Sequence, residues 1–310
     1  PHAAHDHGTT DHADEPPTPA PGQLDLMAAP GAGWEPRSAT LPPVGAQRVH
    51  RIRIVATEQI QEVAPGVTQT RWTFNGTAPG PTLHGKVGDR FIITLVNDGT
   101  IGHSIDFHAG ALAPDRPMRT IQPGEQLTYR FTAERAGAWM YHCGTMPMSM
   151  HIANGMFGAV IIDPPALTDV DREYVLVQSE TYLGDLGGTA DATKIAARAP
   201  DLMTFNGYPM QYDHQPLLAR SGDRVRIWVV DAGPNEPSSF HVVGGQFDTV
   251  YSEGRYLLRD ARNSGSQALS LLPAQGGFVE FDLVEPGHYP FVSHIMSDAE
   301  RGAHGVLWVR

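Results

Sequence analysis

Four segments from the first half of this sequence recur, in the same order, in the second half. TFNG at residues 73–76 recurs at 204–207, and VGDRFIITLV at 87–96 is matched by SGDRVRIWVV at 221–230. PGEQLTYRFTAERAGAWMYH, from Pro123, is echoed by AQGGFVEFDLVEPGHYPFVSH, from Ala274, and NGMFGAVII at 154–162 is echoed by RGAHGVLWV at 301–309. The offset of about 130–150 residues is the size of one small β domain. The chain is therefore expected to fold as two copies of one domain.

The repeated segments predict β-strands. They alternate or run apolar, are rich in β-branched and aromatic residues, and are separated by turns, to which 33 glycines and 26 prolines contribute. The pattern indicates an all-β chain with two tandem β-sandwiches. Domain 1 is predicted to span residues 46–165 and domain 2 residues 166–310, with a linker near Pro164 and Pro165.

Residues 1–45 are predicted to form a flexible arm rich in His and Pro. They lack the apolar residues needed for a core. The arm carries a histidine cluster that could be a solvated polar tail or an accessory copper site, made of His2, His5, His7 and His12.

Net charge and cysteine content narrow the class of protein. The formal charge of −12 argues against a nucleic-acid partner. The single cysteine excludes an internal disulfide, and no apolar run is long enough to span a membrane. The chain begins at Pro1 without a methionine, which removal of an export signal and simple truncation explain equally well. A periplasmic or secreted protein is expected.

Domain 1 contains the residues of a mononuclear copper site. A thiolate, two imidazoles and a thioether suit copper, because sulfur stabilises Cu(I) and imidazole binds both oxidation states. In HCGTMPMSMHIANGM, cysteine and histidine lie at the two ends of a short loop and methionine begins the next strand. A histidine from a distant strand end closes the predicted type 1 site, made of His103, Cys143, His151 and Met156.

Two other interpretations of these residues are weaker. A buried free cysteine would not need three further candidate ligands in this order. Structural zinc prefers more thiolates or histidines and no methionine. The repeat supplies an internal control, because Met156 aligns with Ala303 and Cys143 has no cysteine counterpart in domain 2.

A second, all-histidine copper site is expected beside the first. Adjacent strand residues point to opposite faces, so His142 can face a different ion from Cys143. His108 lies five residues after His103, an odd number, so on an extended segment it also faces the side opposite to His103. Domain 2 offers His241 and His294, and three imidazoles with an open position would make a catalytic site.

These motifs resemble those of the two-domain copper-containing nitrite reductases, a branch of the multicopper oxidases. The resemblance rests on HSIDFH, HC-x7-H-x4-M, FHVVGG and FVSH and covers residues 46–310. It implies cupredoxin-like Greek-key sandwiches, a homotrimer, and two coppers per subunit. The type 1 copper would be held by the four residues named above, and the type 2 copper by His108, His142 and His294, the last from a neighbouring subunit.

The resemblance also implies the reaction, one-electron reduction of nitrite to nitric oxide. A small donor, such as a cupredoxin or a cytochrome c, would reduce the type 1 copper, and the electron would pass through Cys143 and His142. Asp106 and His241 would supply protons, and Val243 would lie near the substrate. Without the resemblance, Asp106 could be a turn or capping carboxylate and His241 a buried structural histidine.

Some features depart from the best-known reductases. The loop ALAPDRPMRTI is closer to nitrite-reductase-like multicopper oxidases, and Gln246 stands where a histidine is often found. Met146, Met148 and Met150 surround the type 1 loop, as packing or as a Cu(I) contact surface.

Two other functions remain open from the sequence. One is an oxidase, laccase-like or cuprous, that reduces oxygen; a laccase needs a trinuclear cluster, for which domain 2 lacks a His-x-His motif. The other is a copper-binding protein for electron transfer or tolerance, which has little use for Asp106, His142 and His294 together.

Overall fold

The computed structural model describes residues 24–310, so His2, His5, His7 and His12 lie outside the described residues. The first half folds into eight strands and one short helix. In chain order they are β1 (Val49–Ala64), β2 (Val67–Phe74), β3 (Leu83–Lys86), β4 (Arg90–Asn97), β5 (Asp106–Phe107), β6 (Gln126–Thr132), β7 (Gly137–His142), α1 (Met148–Ala153) and β8 (Phe157–Asp163).

These strands form two four-stranded sheets. One has the order β2-β1-β4-β6 and the other β3-β8-β7-β5. Most neighbours are antiparallel, but β1 pairs with β4 and β3 with β8 in parallel. The inward faces enclose an aromatic core that includes Phe91, Phe107 and Tyr141.

The second half repeats this architecture with longer sheets. Its elements are β9 (Arg172–Thr181), α2 (Ala192–Ala197), β10 (Leu202–Phe205), α3 (Gln211–His214), β11 (Gln215–Ala219), β12 (Arg224–Asp231), β13 (Ser238–Val242), β14 (Thr249–Ser252), β15 (Arg255–Leu258), β16 (Leu269–Leu271), β17 (Gly276–Asp282), β18 (Gly287–Ser293), α4 (Met296–Glu300) and β19 (His304–Val309). The sheet orders are β10-β9-β12-β17-β14-β15 and β11-β19-β18-β13-β16.

The strand pairing of the two halves corresponds. The parallel pairs β9/β12 and β11/β19 match β1/β4 and β3/β8, and β18/β19 matches β7/β8. The prediction of an all-β chain with two tandem sandwiches is confirmed.

The repeated TFNG segment forms the same turn in both halves. Asn75 and Gly76 have φ values of 56° and 74°, and Asn206 and Gly207 have 57° and 88°. Each asparagine Oδ1 also accepts a hydrogen bond from the backbone N–H of a neighbouring strand. The left-handed conformation explains why asparagine followed by glycine recurs here.

Strands β7 and β8 lie between the two cores. Ala138, Met140 and Phe157 pack outward against Val177 and Trp228 of the second half. Every residue of β8 before Asp163 is buried, because both of its faces are covered. This buried position fixes the direction of the residues that follow β7.

The second part of the predicted arm, residues 24–45, is folded onto the sandwiches. Ala39 and Leu41 are buried, and the Arg37 guanidinium donates to the carbonyl of Gly80 at 2.8 Å. Trp34 packs against Tyr208 with ring centroids 5.0 Å apart. This differs from the flexible arm predicted for this part, because the few apolar residues of the segment pack against the sandwiches. None of the helices in residues 24–310 is long and apolar enough to cross a membrane.

Candidate metal centres

Three predicted type 1 ligands meet in the first sandwich. His103 lies in an isolated bridge to Ile121, Cys143 follows β7 directly, and His151 lies in α1. All three are buried, and their potential ligand atoms lie within 4.8 Å of one another. The Cys143 Sγ is 3.3 Å from the His151 Nδ1.

Met156, the fourth predicted ligand, belongs to the same core cluster as Cys143 and is fully buried. Its carbonyl accepts a hydrogen bond from the Cys143 N–H at 3.0 Å, and its N–H donates to the His151 carbonyl at 3.1 Å. Gly155 before it has φ = 120°, and a Cβ there would lie 2.5 Å from the Cβ of Ala78. The backbone therefore holds Met156 next to the other three residues.

The surroundings of Cys143 favour a thiolate. Burial raises the pKa of the thiol, but the neighbouring His151 imidazole and the Ser104 N–H oppose burial and lower it. The Ser104 N–H lies 3.4 Å from Sγ. A thiolate is the form of cysteine that binds metals.

The His103 ring supports a metal at this position. Its Nδ1 is buried and has no hydrogen-bond partner within residues 24–310. A buried ring nitrogen without a partner is costly unless its lone pair binds something. The thiolate, the imidazoles and Met156 form a donor set that fits copper.

A second group lies on the other side of β7. The Nε2 atoms of His108 and His142 are 3.0 Å apart, with their rings nearly perpendicular at 89°. An Asp106 carboxylate oxygen lies 3.7 Å from the His108 Nε2 and 3.8 Å from the His142 Nε2. The three residues form the second potential metal group among the described residues.

The tautomer of His142 suits metal binding. Its Nδ1 lies 2.9 Å from the Cys143 carbonyl oxygen, so Nδ1 carries the proton and donates it. The Nε2 lone pair is then free and faces His108. Burial and the neighbouring His142 lower the pKa of His108, which keeps this ring neutral and able to bind a metal.

The two groups are linked by consecutive residues. In β7, Tyr141 faces the core of the first sandwich and Met140 faces the second half of the molecule. Cys143 continues the first face, and His142 continues the second. One peptide bond thus connects a residue of each group.

His241 and His294 do not join the second group within one chain. They lie on the second sandwich, with ring centroids 5.3 Å apart. His294 is exposed, His241 is half-buried, and Val243 beside them is 46% exposed. His241 Nδ1 donates to the Gln267 carbonyl. The pair is therefore presented on the surface.

The three additional methionines have different environments. Met150 packs against a small core cluster with Tyr182. Met146 and Met148 are 76% and 38% exposed. Packing in the core therefore accounts for the presence of Met150 but not for that of Met146 and Met148.

Two further residues lie beside the first group, and no sequence motif marks them. The Glu58 carboxylate lies 2.9 Å from the His103 Nε2, and Trp72 meets the His151 ring edge-on at 4.6 Å between centroids. Glu58 and Trp72 are directly opposite each other in the β1/β2 pair. Glu58 is one of two glutamates of the same parity in β1, so its charge alone did not distinguish it from Glu62.

Known proteins resemble this chain over most of its length. The multicopper oxidase family model matches residues 55–167. The copper-containing nitrite reductase of Neisseria gonorrhoeae is 35% identical over 271 residues, covering 84% of this chain and 68% of the relative. That of Alcaligenes xylosoxydans xylosoxydans is 31% identical, covering 90% and 91%.

A solved structure agrees with these relatives. The copper nitrite reductase from Nitrosomonas europaea superposes with a TM-score of 0.78 at 34% identity, covering 84% of this chain and 94% of that one. Sequence and fold lead to the same group of proteins, and this chain belongs to the copper-containing nitrite reductase family.

Proposed function

We propose that this chain reduces nitrite to nitric oxide and water, taking up one electron and two protons. The observation that carries the proposal is the position of His142 and Cys143, adjacent residues that belong to two different ligand groups. Copper supplies a one-electron redox centre at the cysteine site and a redox-active Lewis acid at the histidine site. The two sites together account for two coppers per subunit.

The type 1 copper is assigned to His103, Cys143, His151 and Met156. This donor set is buried, which limits the reorganisation of solvent when an electron enters. The Cys143 sulfur and the His142 ring are joined through one peptide bond, and this short covalent path would connect the two sites. A small external protein, a cupredoxin or a cytochrome c, is the proposed donor.

Asp106 is assigned as the acid that serves nitrite. Its carboxylate is 25% exposed and lies 3.7 Å and 3.8 Å from the two facing imidazole nitrogens. It can therefore hold a proton against an oxygen of bound nitrite and release it to the leaving oxygen.

The type 2 site is assigned to His108, His142 and His294, the last from another subunit of a homotrimer. Within one chain His294 is exposed and stands apart from the other two. His241, paired with it, would orient a water and supply the second proton, and Val243 would border nitrite. An extracytoplasmic location is proposed with this assembly.

Subunit complementation tests the shared site. His108→Ala and His294→Ala proteins are each expected to be inactive, and co-refolded mixtures are expected to regain activity, because some sites then combine an intact His108 with an intact His294. If both sets of ligands came from one chain, mixing would restore nothing.

An Asp106→Asn variant tests the acid. We expect nitrite turnover to fall by at least about 100-fold, the usual contribution of a positioned acid. The visible absorption of the type 1 copper should be unchanged. Asp115→Asn is the matched control, since Asp115 is exposed on the following loop. Full turnover by Asp106→Asn would remove this residue from the reaction.

Oxygen reduction is the second candidate, because the matching family model is that of the multicopper oxidases. The described residues contain two candidate metal groups, neither with enough histidines for a trinuclear cluster. An anaerobic nitrite assay with a reduced dye, run in parallel with oxygen, separates the two functions. Nitric oxide formation with slow oxygen uptake supports nitrite reduction.

A further inference from the structure

A partly buried carboxylate contacts the ring of His103 on the side away from Cys143. The Glu58 Oε1 lies 2.9 Å from the His103 Nε2, and their side chains are 14% and 0% exposed. The other carboxylate oxygen accepts the Thr100 N–H at 2.8 Å. Both oxygens of Glu58 therefore have a donor.

This contact fixes the tautomer of His103. Because a carboxylate only accepts, Nε2 must carry the proton. The opposite nitrogen, Nδ1, is the one that is buried without a partner. His103 is held with its lone pair directed towards Cys143 and His151.

The surrounding loop is shaped to receive the carboxylate. A Cβ on Gly99 would lie 2.4 Å from the Glu58 Oε1, so only glycine leaves room. The side chain of Asn97 braces this loop, accepting the Gly99 N–H at 3.0 Å and donating to the Ile101 carbonyl at 2.8 Å. The contact between Glu58 and His103 is thus built into β1 and the turn after β4.

We infer that Glu58 is a positioning residue that lowers the reduction potential of the type 1 copper. A carboxylate that accepts the remote N–H of a ligating imidazole makes the other nitrogen a stronger donor. Its negative charge also favours the more highly charged Cu(II) over Cu(I). Both effects resist reduction and make electron release towards His142 more favourable. The inference rests on the proposed type 1 assignment.

A Glu58→Gln variant tests this role. Glutamine keeps the size of the side chain but loses the charge, and its amide cannot accept from both donors. The visible absorption of the type 1 copper should remain, and the equilibrium constant for reduction by a fixed mediator should rise at least tenfold, which is about 59 mV for one electron. Spectroelectrochemistry without nitrite measures this, so loss of nitrite reductase activity would not affect the outcome.

Glu62→Gln is the matched control. Glu62 lies on the same strand and also accepts two hydrogen bonds, from the Gly31 N–H and the Tyr208 hydroxyl, away from the copper ligands. Its potential should equal that of the wild type. An unchanged or lowered potential in Glu58→Gln would overturn the inference.

A measurement on the wild type covers the case in which Glu58→Gln does not fold. In ¹⁵N-labelled protein loaded with Cu(I), His103 should show a slowly exchanging proton on Nε2. A His103 without that proton, or with one that exchanges as fast as in a free imidazole, would refute the role of Glu58.

Discussion

Replacing Glu180 by glutamine is expected to make the protein less sensitive to alkaline pH. Glu180 lies on β9 and is 1% exposed. Its Oε1 accepts the N–H groups of Asn235 and Glu236, but Oε2 is buried and has no hydrogen-bond partner among residues 24–310. Asp231, on the neighbouring strand β12, is also buried, and burial, followed by the charge of Glu180, raises its pKa.

The size of the effect follows from the pKa of Glu180. Burial raises this pKa from 4.5 to about 7, against the opposing effect of the two N–H groups. A folded-state pKa above the unfolded value contributes stability that is complete below about pH 4.5 and is lost as the pH rises through 7. The shift corresponds to about 3 kcal/mol in total, of which about 2 kcal/mol is lost between pH 5.5 and 8.5.

Urea denaturation at the two pH values, at one fixed protein concentration, measures this loss. The free energy of unfolding of Glu180→Gln should fall by about 2 kcal/mol less than that of the wild type. Glu285→Gln, which removes an exposed carboxylate, should follow the wild type. Parallel pH curves for the wild type and Glu180→Gln would refute the reasoning, since Glu180 would then titrate normally.

Two further predictions concern the first sandwich. His84 bonds Asp163 at 2.7 Å and a backbone carbonyl, and these bonds raise the pKa of His84 despite burial. His84→Ala should therefore lose about 2 kcal/mol of unfolding free energy below pH 6.5 and less at pH 8.5, as measured by urea denaturation. An equal loss at both pH values would exclude a charged ring. In Gly158→Ala the new Cβ would lie 2.4 Å from the buried ring of Tyr141, so thermal unfolding should show a loss of about 2 kcal/mol of stability. Gly33→Ala is the control and should lose almost none, because a Cβ there meets open space. Equal stability of the two variants would contradict the packing.

The fold could be predicted because its signals are local and occur twice. The Asn–Gly turns at residues 75 and 206 and the strands that follow each Gly–Asp pair recur with one spacing. The parity of His142 and Cys143 is also local, so strand geometry predicted that they face opposite sides. The proximity of His108 to His142 depends on the pairing of β5 with β7, and the sequence indicated it only through the family resemblance.

The rest depends on contacts between distant segments. Glu58 reaches His103 only because β1 pairs with β2 and β4 in one particular register. Trp34 and Leu41 are covered by surfaces that exist only after both sandwiches have formed. The surface position of His294 depends on how the sandwiches pack, which one sequence does not report.

The arrangement of β7 between two cores makes both ligand groups sensitive to a single error. A slip of one residue along β8 would turn the imidazole of His142 inwards and the sulfur of Cys143 outwards, exchanging their neighbours at once. Neither group can be shifted without the other. Chains misfolded in this way should therefore lose both coppers together. A protein that holds only one of the two coppers would then indicate a shortage of copper and not an error in the folding of this strand.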